Sequence, residues 1–170
     1  MNIQELIRDI PDFPKPGIIF KDITPLLADA YALVYCADQL AGLCPAHVNI
    51  DKVIGIEARG FILGGMIAQR LNAGFIPVRK KGKLPSKVNS KSYGLEYGED
   101  VLEIHKDAIK AGEHILIHDD VLATGGTAKA VCELVEELGG IVVQCNFIME
   151  LDFLNGKDRL QTTVASLLNY

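Results

Sequence analysis

Residues 114–131 read HILIHDDVLATGGTAKAV. The first five form a mostly apolar run of strand length, which breaks off at two adjacent carboxylates, Asp119 and Asp120. Ala123-Thr124-Gly125-Gly126-Thr127 follows. Apolar residues then recur at helical spacing through residues 127–139, and Gly139 and Gly140 are placed to stop that helix. This is the order of a strand–turn–helix unit whose turn lies at the strand's C-terminal end. Glycines let successive backbone N–H groups converge on one point, and the helix N-terminus adds partial positive charge. Such a turn suits a phosphate monoester, with the Thr124 and Thr127 hydroxyls as further donors. It lacks the lysine of a G-x-x-x-x-G-K-[ST] loop, which disfavours a triphosphate. The carboxylates repel phosphate but accept hydrogen bonds from hydroxyls, so together the two features suggest a sugar 5-phosphate. The competing reading is a tight turn beside a solvated acidic pair.

The rhythm extends on both sides. KVIGIE (52–57) reads as a buried strand, GFILGGMIAQRL (60–71) as a helix and GFIPVRK (74–80) as the next strand. VLEIH (101–105), IVVQCNFIMEL (141–151) and TTVASLL (162–168) supply further strands. Strands alternating with helices imply an α/β fold, a mainly parallel central sheet flanked by helices, with ligands bound outside the C-terminal strand ends. Asp29 can cap a helix over AYALVYCADQLAGLC, and Asn2 with Glu5 predicts a short helix over 2–9. PDFPKPG (11–17) is excluded from regular structure by its prolines. The chain reads as one domain, 1–170. A small N-terminal hood over about 1–28 and the last strand are expected to cap the sheet edge. Residues 82–98 lack apolar periodicity and predict a long flexible lid loop.

Length and composition exclude several classes. With 170 residues, 49% of them apolar, the chain can bury a full core. A net charge of -5 argues against a general nucleic-acid or anionic-membrane binder. No apolar run approaches membrane-spanning length, and MNIQELIRDI does not read as a secretory signal. Cys36, Cys44, Cys132 and Cys145 are scattered without metal-ligand spacing, which predicts reduced thiols and fits a cytoplasmic location.

Two more segments fall at strand ends. Glu57-Ala58-Arg59-Gly60 places a guanidinium where a strand gives way to a helix, a weak signal for an anion site when taken alone. VRKKGKLPSK carries Arg79, Lys80, Lys81, Lys83 and Lys87 without an acid, and reads either as a solvated basic face or as an anion site. Tyr93, Glu96 and Tyr97 lie near the far end of the expected lid.

The stretch ILIHDDVLATGGTA resembles the signature of the type I phosphoribosyltransferases. DFPKPGIIFKDITPLL, GIEARGFILGG, VRKKGKLP, SYGLEYGEDVLEIHKDAI and FIMELDFLNGKDRL extend the resemblance over nearly the whole chain, to the adenine-using branch of that family. The resemblance implies transfer of a phosphoribosyl group from 5-phosphoribosyl-1-pyrophosphate to adenine, a purine-salvage reaction giving AMP and pyrophosphate with Mg²⁺. It places the 5-phosphate on Ala123, Thr124, Gly125, Gly126 and Thr127 and the ribose on Asp119 and Asp120. It places pyrophosphate on Ala58, Arg59, Arg79, Lys80 and Lys83, and adenine on Ile19, Phe20 and Lys21. Glu96, Tyr97 and Arg59 are the implied catalytic residues. No protein ligand to Mg²⁺ is implied with certainty, the ion being held mainly by substrate and water. A homodimer and, in some relatives, a cis peptide in the Glu57–Arg59 loop are also implied. GIIFKD and GLEYG argue against hypoxanthine, guanine or xanthine as the base. The rival from another class is a nucleic-acid-binding regulator that senses the same sugar pyrophosphate. It would need a DNA-binding module or a basic face, and 170 residues at a net charge of -5 leave no room for the former. His118 replaces an apolar residue of the family pattern, and strand alternation turns it away from Asp119.

Overall fold

The computed structural model describes residues 1–95 and 98–170. Near the N-terminus, β1 (Arg8–Pro11) and β2 (Ile19–Asp22) pair antiparallel, with Ile10 opposite Phe20. Asp12 Oδ1 accepts a hydrogen bond from the Gly17 N–H at 2.7 Å and closes the turn between them. Arg8 donates to Asp22 at 2.6 Å across the two strands. The predicted helix over 2–9 is therefore corrected. Asn2 does cap, accepting from Gln4 N–H and donating to Glu5, but only a 3-10 turn over Ile3–Leu6 forms before β1 begins. The local signal is real, and pairing with β2 overrides its continuation.

After α1 (Thr24–Ala28), α2 (Ala30–Gly42) starts where expected, Asp29 Oδ1 accepting from the Tyr31 and Ala32 N–H groups at 2.9 Å. Then come β3 (Lys52–Ile56), α3 (Gly60–Arg70), β4 (Gly74–Lys80), β5 (Val88–Leu95), β6 (Gly98–His105) and β7 (His114–Leu122). They are followed by α4 (Gly126–Glu137), β8 (Ile141–Glu150) and β9 (Thr163–Asn169). The main sheet has the order β5-β6-β4-β3-β7-β8-β9. Its five strands β4, β3, β7, β8 and β9 run parallel, and β5 and β6 join as an antiparallel hairpin on β4. The mainly parallel α/β architecture is thus as read from the sequence.

Strand alternation divides the core. Ile54, Ile56, Ile115 and Ile117 pack toward α4, while Val53 and Leu116 pack toward α2 and α3. Both sheet faces are covered, as a parallel sheet requires. Two strands differ from expectation. Residues 88–95 of the expected lid loop form β5, whose Lys91 ion-pairs with Glu133 and Glu137 of α4 at 3.0 and 2.7 Å. β9 lies within the sheet beside β8 rather than in a cap, although Tyr170 beyond it sits under the Lys21 ammonium of the hood at 4.1 Å.

Candidate active site

The site is built from the central strand outward. β7 continues through Asp119 and Asp120 to Leu122, so the acidic pair lies inside the strand's last turn of pleat rather than beyond its end. Asp120 is buried and Asp119 half-buried. Burial, then the neighbouring Asp120 charge, pushes Asp119 well above the usual carboxylate range. Burial also raises Asp120, against the opposing pull of Arg59. Gly60 makes this closeness possible: a side chain there would run into the His118 carbonyl and the Asp119 carboxylate, so only glycine lets α3 begin against β7.

Arg59 reaches back from that junction. Its Nε lies 2.8 Å from Asp120 Oδ2, yet among the described residues that oxygen has no aligned hydrogen-bond donor, so the contact compensates charge without a well-formed bond. The guanidinium also stands 5.3 Å over the ring of Phe20 in the hood. One arginine therefore spans the acidic pair and the hood. The Glu57–Ala58 peptide bond ahead of it is cis.

The basic strand end is also internally paired. Arg79 donates to both Glu57 oxygens at 3.2 and 3.3 Å, and the Lys80 N–H donates to Glu57 at 2.8 Å. Burial favours the protonated acid, but the Lys80 N–H and the Arg79 guanidinium together hold Glu57 below its ordinary value. Lys80 Nζ lies 3.0 Å from Asp100 on β6. Tyr93 on β5 brings its hydroxyl to Asp100 at 3.4 Å and to the Thr127 side chain. The hairpin is thus tied at once to the cationic strand end and to the glycine turn.

That turn encloses a cavity of about 80 Å³ lined by Asp119, Ala123, Thr124, Gly125 and Thr127. Gly125 sits at φ +80°. Behind it lies Gly156, within the 3-10 turn Gly156–Arg159. A Cβ on Gly125 would overlap the Gly156 carbonyl, and one on Gly156 would overlap the Ala123 carbonyl.

These contacts gather at the C-terminal strand edge a glycine turn around a small cavity, paired acids, a cationic strand end paired to carboxylates and an aromatic hood. A family model described as a phosphoribosyl transferase domain matches residues 36–163. The chain is also 56% identical over 171 residues to the adenine phosphoribosyltransferase of Christiangramia forsetii, covering 100% of this chain and 99% of the relative. The chain belongs to the adenine phosphoribosyltransferase family. The family member from Flavobacterium johnsoniae is 61% identical over 161 residues, 95% of this chain and 94% of the relative. The solved adenine phosphoribosyltransferase of Thermoanaerobacter pseudethanolicus superposes with a TM-score of 0.95 at 51% identity, covering 99% and 98% of the two chains. That of Saccharomyces cerevisiae, solved with an imino-altritol bisphosphate and adenine, superposes at 0.91 with 42% identity, covering 98% and 96%.

Of the residues anticipated for this family, Asp119, Asp120, Ala123–Thr127, Arg59, Arg79 and Lys80 line this edge. Ala58 adjoins them, and Arg79 donates to the Lys83 carbonyl at 3.2 Å. Phe20 meets the site through Arg59, flanked on β2 by Ile19 and Lys21. Glu96 and Tyr97 lie outside the described residues. Sequence reasoning missed Glu57, Asp100 and Gly156 as supports. Only Gly156 had a local signal, the Asn155-Gly156 turn dipeptide.

His118 is fully buried, with Nδ1 2.9 Å from Asn146 Oδ1, while Asn146 Nδ2 donates to the Leu40 carbonyl of α2. The amide's orientation makes Nδ1 the protonated nitrogen and leaves Nε2 without a partner among the described residues. Burial pushes the imidazole from 6.5 down to about 4, against the Asn146 bonds. The unfolded chain accepts a proton near 6.5 that the folded chain refuses. Stability is then full above pH 6.5, falls as pH drops toward 4, and is flat below, a loss of roughly 3 kcal/mol from this group. Denaturation midpoints at pH 7 and 4.5 should show that fall in the native protein and not in His118→Gln; equal slopes would remove the assignment.

Proposed function

We propose that this chain transfers the 5-phosphoribosyl group of 5-phosphoribosyl-1-pyrophosphate to adenine, giving AMP and pyrophosphate in purine salvage. The observation that carries this reading is the junction at Arg59, where one guanidinium meets both Asp120 and Phe20. The 5-phosphate sits on Ala123–Thr127, where backbone N–H groups and the start of α4 favour an anion, and the ribose hydroxyls donate to Asp119 and Asp120. Pyrophosphate is held by Ala58, Arg59, Arg79, Lys80 and Lys83. Arg59 exchanges Asp120 for pyrophosphate as the substrate enters, which frees the carboxylate for ribose and the Phe20 face for the base.

Adenine is read by Ile19, Phe20 and Lys21. Among the described residues β2 has a strand partner on one side only, which leaves backbone groups to meet the base edge. A 6-oxopurine reverses donor and acceptor at that edge, and each buried group left unpaired costs about 1–3 kcal/mol. As the bond to pyrophosphate breaks, C1 of the ribose takes on oxocarbenium character and the leaving group gathers negative charge. Arg59 and the cationic strand end stabilise that charge. Glu96 serves at adenine N7, with Tyr97 beside it, and Glu96→Ala is expected to lower kcat far more than it weakens binding. An unchanged steady-state rate would remove Glu96 from the chemistry.

Two carboxylates at a phosphate turn suit Mg²⁺ carried on the substrate's own oxygens and waters, with Asp119 and Asp120 as outer partners. When bound, the ion neutralises charge on the pyrophosphate. A homodimer is supported by apolar side chains left exposed on Ile62 of α3 and Phe75 of β4. The free thiols support a cytoplasmic location, and among the described residues no helix is long and apolar enough to cross a membrane.

The cationic residues paired to carboxylates here are the ones pyrophosphate must recruit. Asp100→Asn releases Lys80 and is expected to tighten product inhibition by pyrophosphate up to roughly fivefold, the range of an exposed ion pair. Weaker inhibition would instead make Asp100 a support for Lys80. The activity itself is tested by supplying adenine, hypoxanthine, guanine and xanthine in parallel with the sugar pyrophosphate and Mg²⁺. AMP from adenine alone is expected. No product with any base, from folded protein that still binds the sugar pyrophosphate, would overturn the reading in favour of a sensor.

A further inference from the structure

Outside the site, two of the four cysteines face each other. Cys132 Sγ on α4 lies 3.6 Å from Cys145 Sγ on β8. The two differ in access. Cys145 is fully buried in the core between α4 and the sheet. Cys132 lines a cavity of about 490 Å³ together with Lys129, Glu133, Glu136, Arg159 and Leu160. Cys36 is fully buried without such a neighbour among the described residues, and Cys44 is engaged with the Leu40 carbonyl.

We propose that Cys132 and Cys145 form a dithiol site for hydroperoxides, Cys132 reacting first from the cavity and Cys145 resolving it to an intramolecular disulfide that loosens the phosphate turn. The balance is complete. The Cys132 thiolate attacks one peroxide oxygen and the O–O bond breaks. The departing oxygen leaves as water or alcohol after taking a proton, and Cys132 becomes a sulfenic acid. The Cys145 sulfur then attacks the Cys132 sulfur, the S–O bond breaks, and the hydroxyl leaves as water with the Cys145 proton. Two thiols have supplied the two electrons that reduced one peroxide, and an external thiol reverses the step.

Three features support this division of labour. The reachable sulfur is Cys132 at the cavity wall, and with Cys145 as the donor across the 3.6 Å contact its thiolate is the form favoured, against its own burial. The buried partner is shifted the other way by the same contact, with burial adding to it. Burial pushes Cys36 and Cys44 up to about 11, which leaves them poor competitors. A disulfide needs the sulfurs at about 2.05 Å, and closing the 3.6 Å gap turns the two side chains and draws the middle of α4 toward β8. The first turn of α4 holds Gly126 and Thr127, so the glycine turn moves with it. This last link rests on the reading of residues 123–127 as the phosphate site.

The test is a hydrogen peroxide titration of the full chain, followed by peptide mass mapping and by calorimetry with ribose 5-phosphate. The expected result is loss of two thiols per chain, a linked pair of peptides carrying Cys132 and Cys145, and several-fold weaker ribose 5-phosphate binding that dithiothreitol restores. Cys145→Ala should stop at a sulfenic acid on Cys132 that a 1,3-diketone traps, while Cys132→Ala should leave Cys145 unoxidised. Oxidation spread over Cys36 or Cys44, or no linked peptide in the native chain, would overturn the dithiol site even where a variant fails to fold. A linked pair with unchanged binding would overturn its effect on the turn. Failure of the reduced protein to bind ribose 5-phosphate would count against the phosphate reading alone, since the mass mapping does not depend on it.

Discussion

Gly125→Ala is expected to weaken ribose 5-phosphate binding by about tenfold or more and to lower the denaturation midpoint. Two costs add. A Cβ in the left-handed region at φ +80° costs about 1–2 kcal/mol, and its overlap with the Gly156 carbonyl forces backbone apart for about 1–3 kcal/mol more. Gly156 cannot give way, because its own neighbour is the Ala123 carbonyl on the other side of the turn. The strain is relieved only by opening the loop whose N–H groups must converge on the phosphate, and 1.4 kcal/mol of that is tenfold in affinity. Gly156→Ala separates the two costs, since Gly156 has no positive φ and only the overlap remains. It should lose less stability yet still weaken phosphate binding. Gly65→Ala in α3 is the control: nothing lies within 4 Å of its added methyl, and stability there should hold or rise by up to ~1 kcal/mol. Normal binding by Gly125→Ala would mean that the phosphate does not sit on this turn.

Particular residues show how far the sequence could be read. α2, β3, α3, β4, β7, α4 and β8 were legible because each is a buried parallel strand or an amphipathic helix with a period of its own, bounded by signals such as Asp29 and Gly139. The candidate site could be assembled for the same reason, as its acids, glycine turn and basic run all lie at the ends of those elements. What was not legible depends on partners distant in sequence. β5 reads as loop because SKVNSKSY has no apolar face, and its order comes from pairing with β6 and from Lys91 against α4. The N-terminal cap signal at Asn2 was correct and yet no helix followed, because β2 offered Arg8–Pro11 a strand partner. Gly156 looks like an ordinary surface turn until Gly125 is placed against it.

Asp119→Asn combined with Asp120→Asn is expected to lower kcat/KM for the sugar pyrophosphate by about 10²–10⁴, while leaving the protein as stable as before or more so. Each ribose hydroxyl that donates to a carboxylate contributes about 1.5–3 kcal/mol, and two such bonds give that range at 1.4 kcal/mol per decade. The stability side runs the other way. Burial raises both acids, and the Asp120 charge raises Asp119 further, so their ionised forms are less stable folded than unfolded. A raised carboxylate destabilises the fold above its folded pKa, and stability is regained as pH falls through that value. Neutral, isosteric asparagines remove this penalty, and the gain should be largest at neutral pH and vanish in acid. An acidic pair that merely ended a strand would show no loss of turnover on the same substitution. Arg59 supplies the internal check. With Asp120 neutral, Arg59 loses its counter-charge and is free for pyrophosphate, so the double variant should keep or strengthen pyrophosphate inhibition while ribose 5-phosphate binding collapses. Arg59→Ala should do the reverse, sparing ribose 5-phosphate and weakening pyrophosphate. If both variants lost both ligands equally, the two carboxylates and the guanidinium would be one structural unit rather than two half-sites that part when substrate arrives.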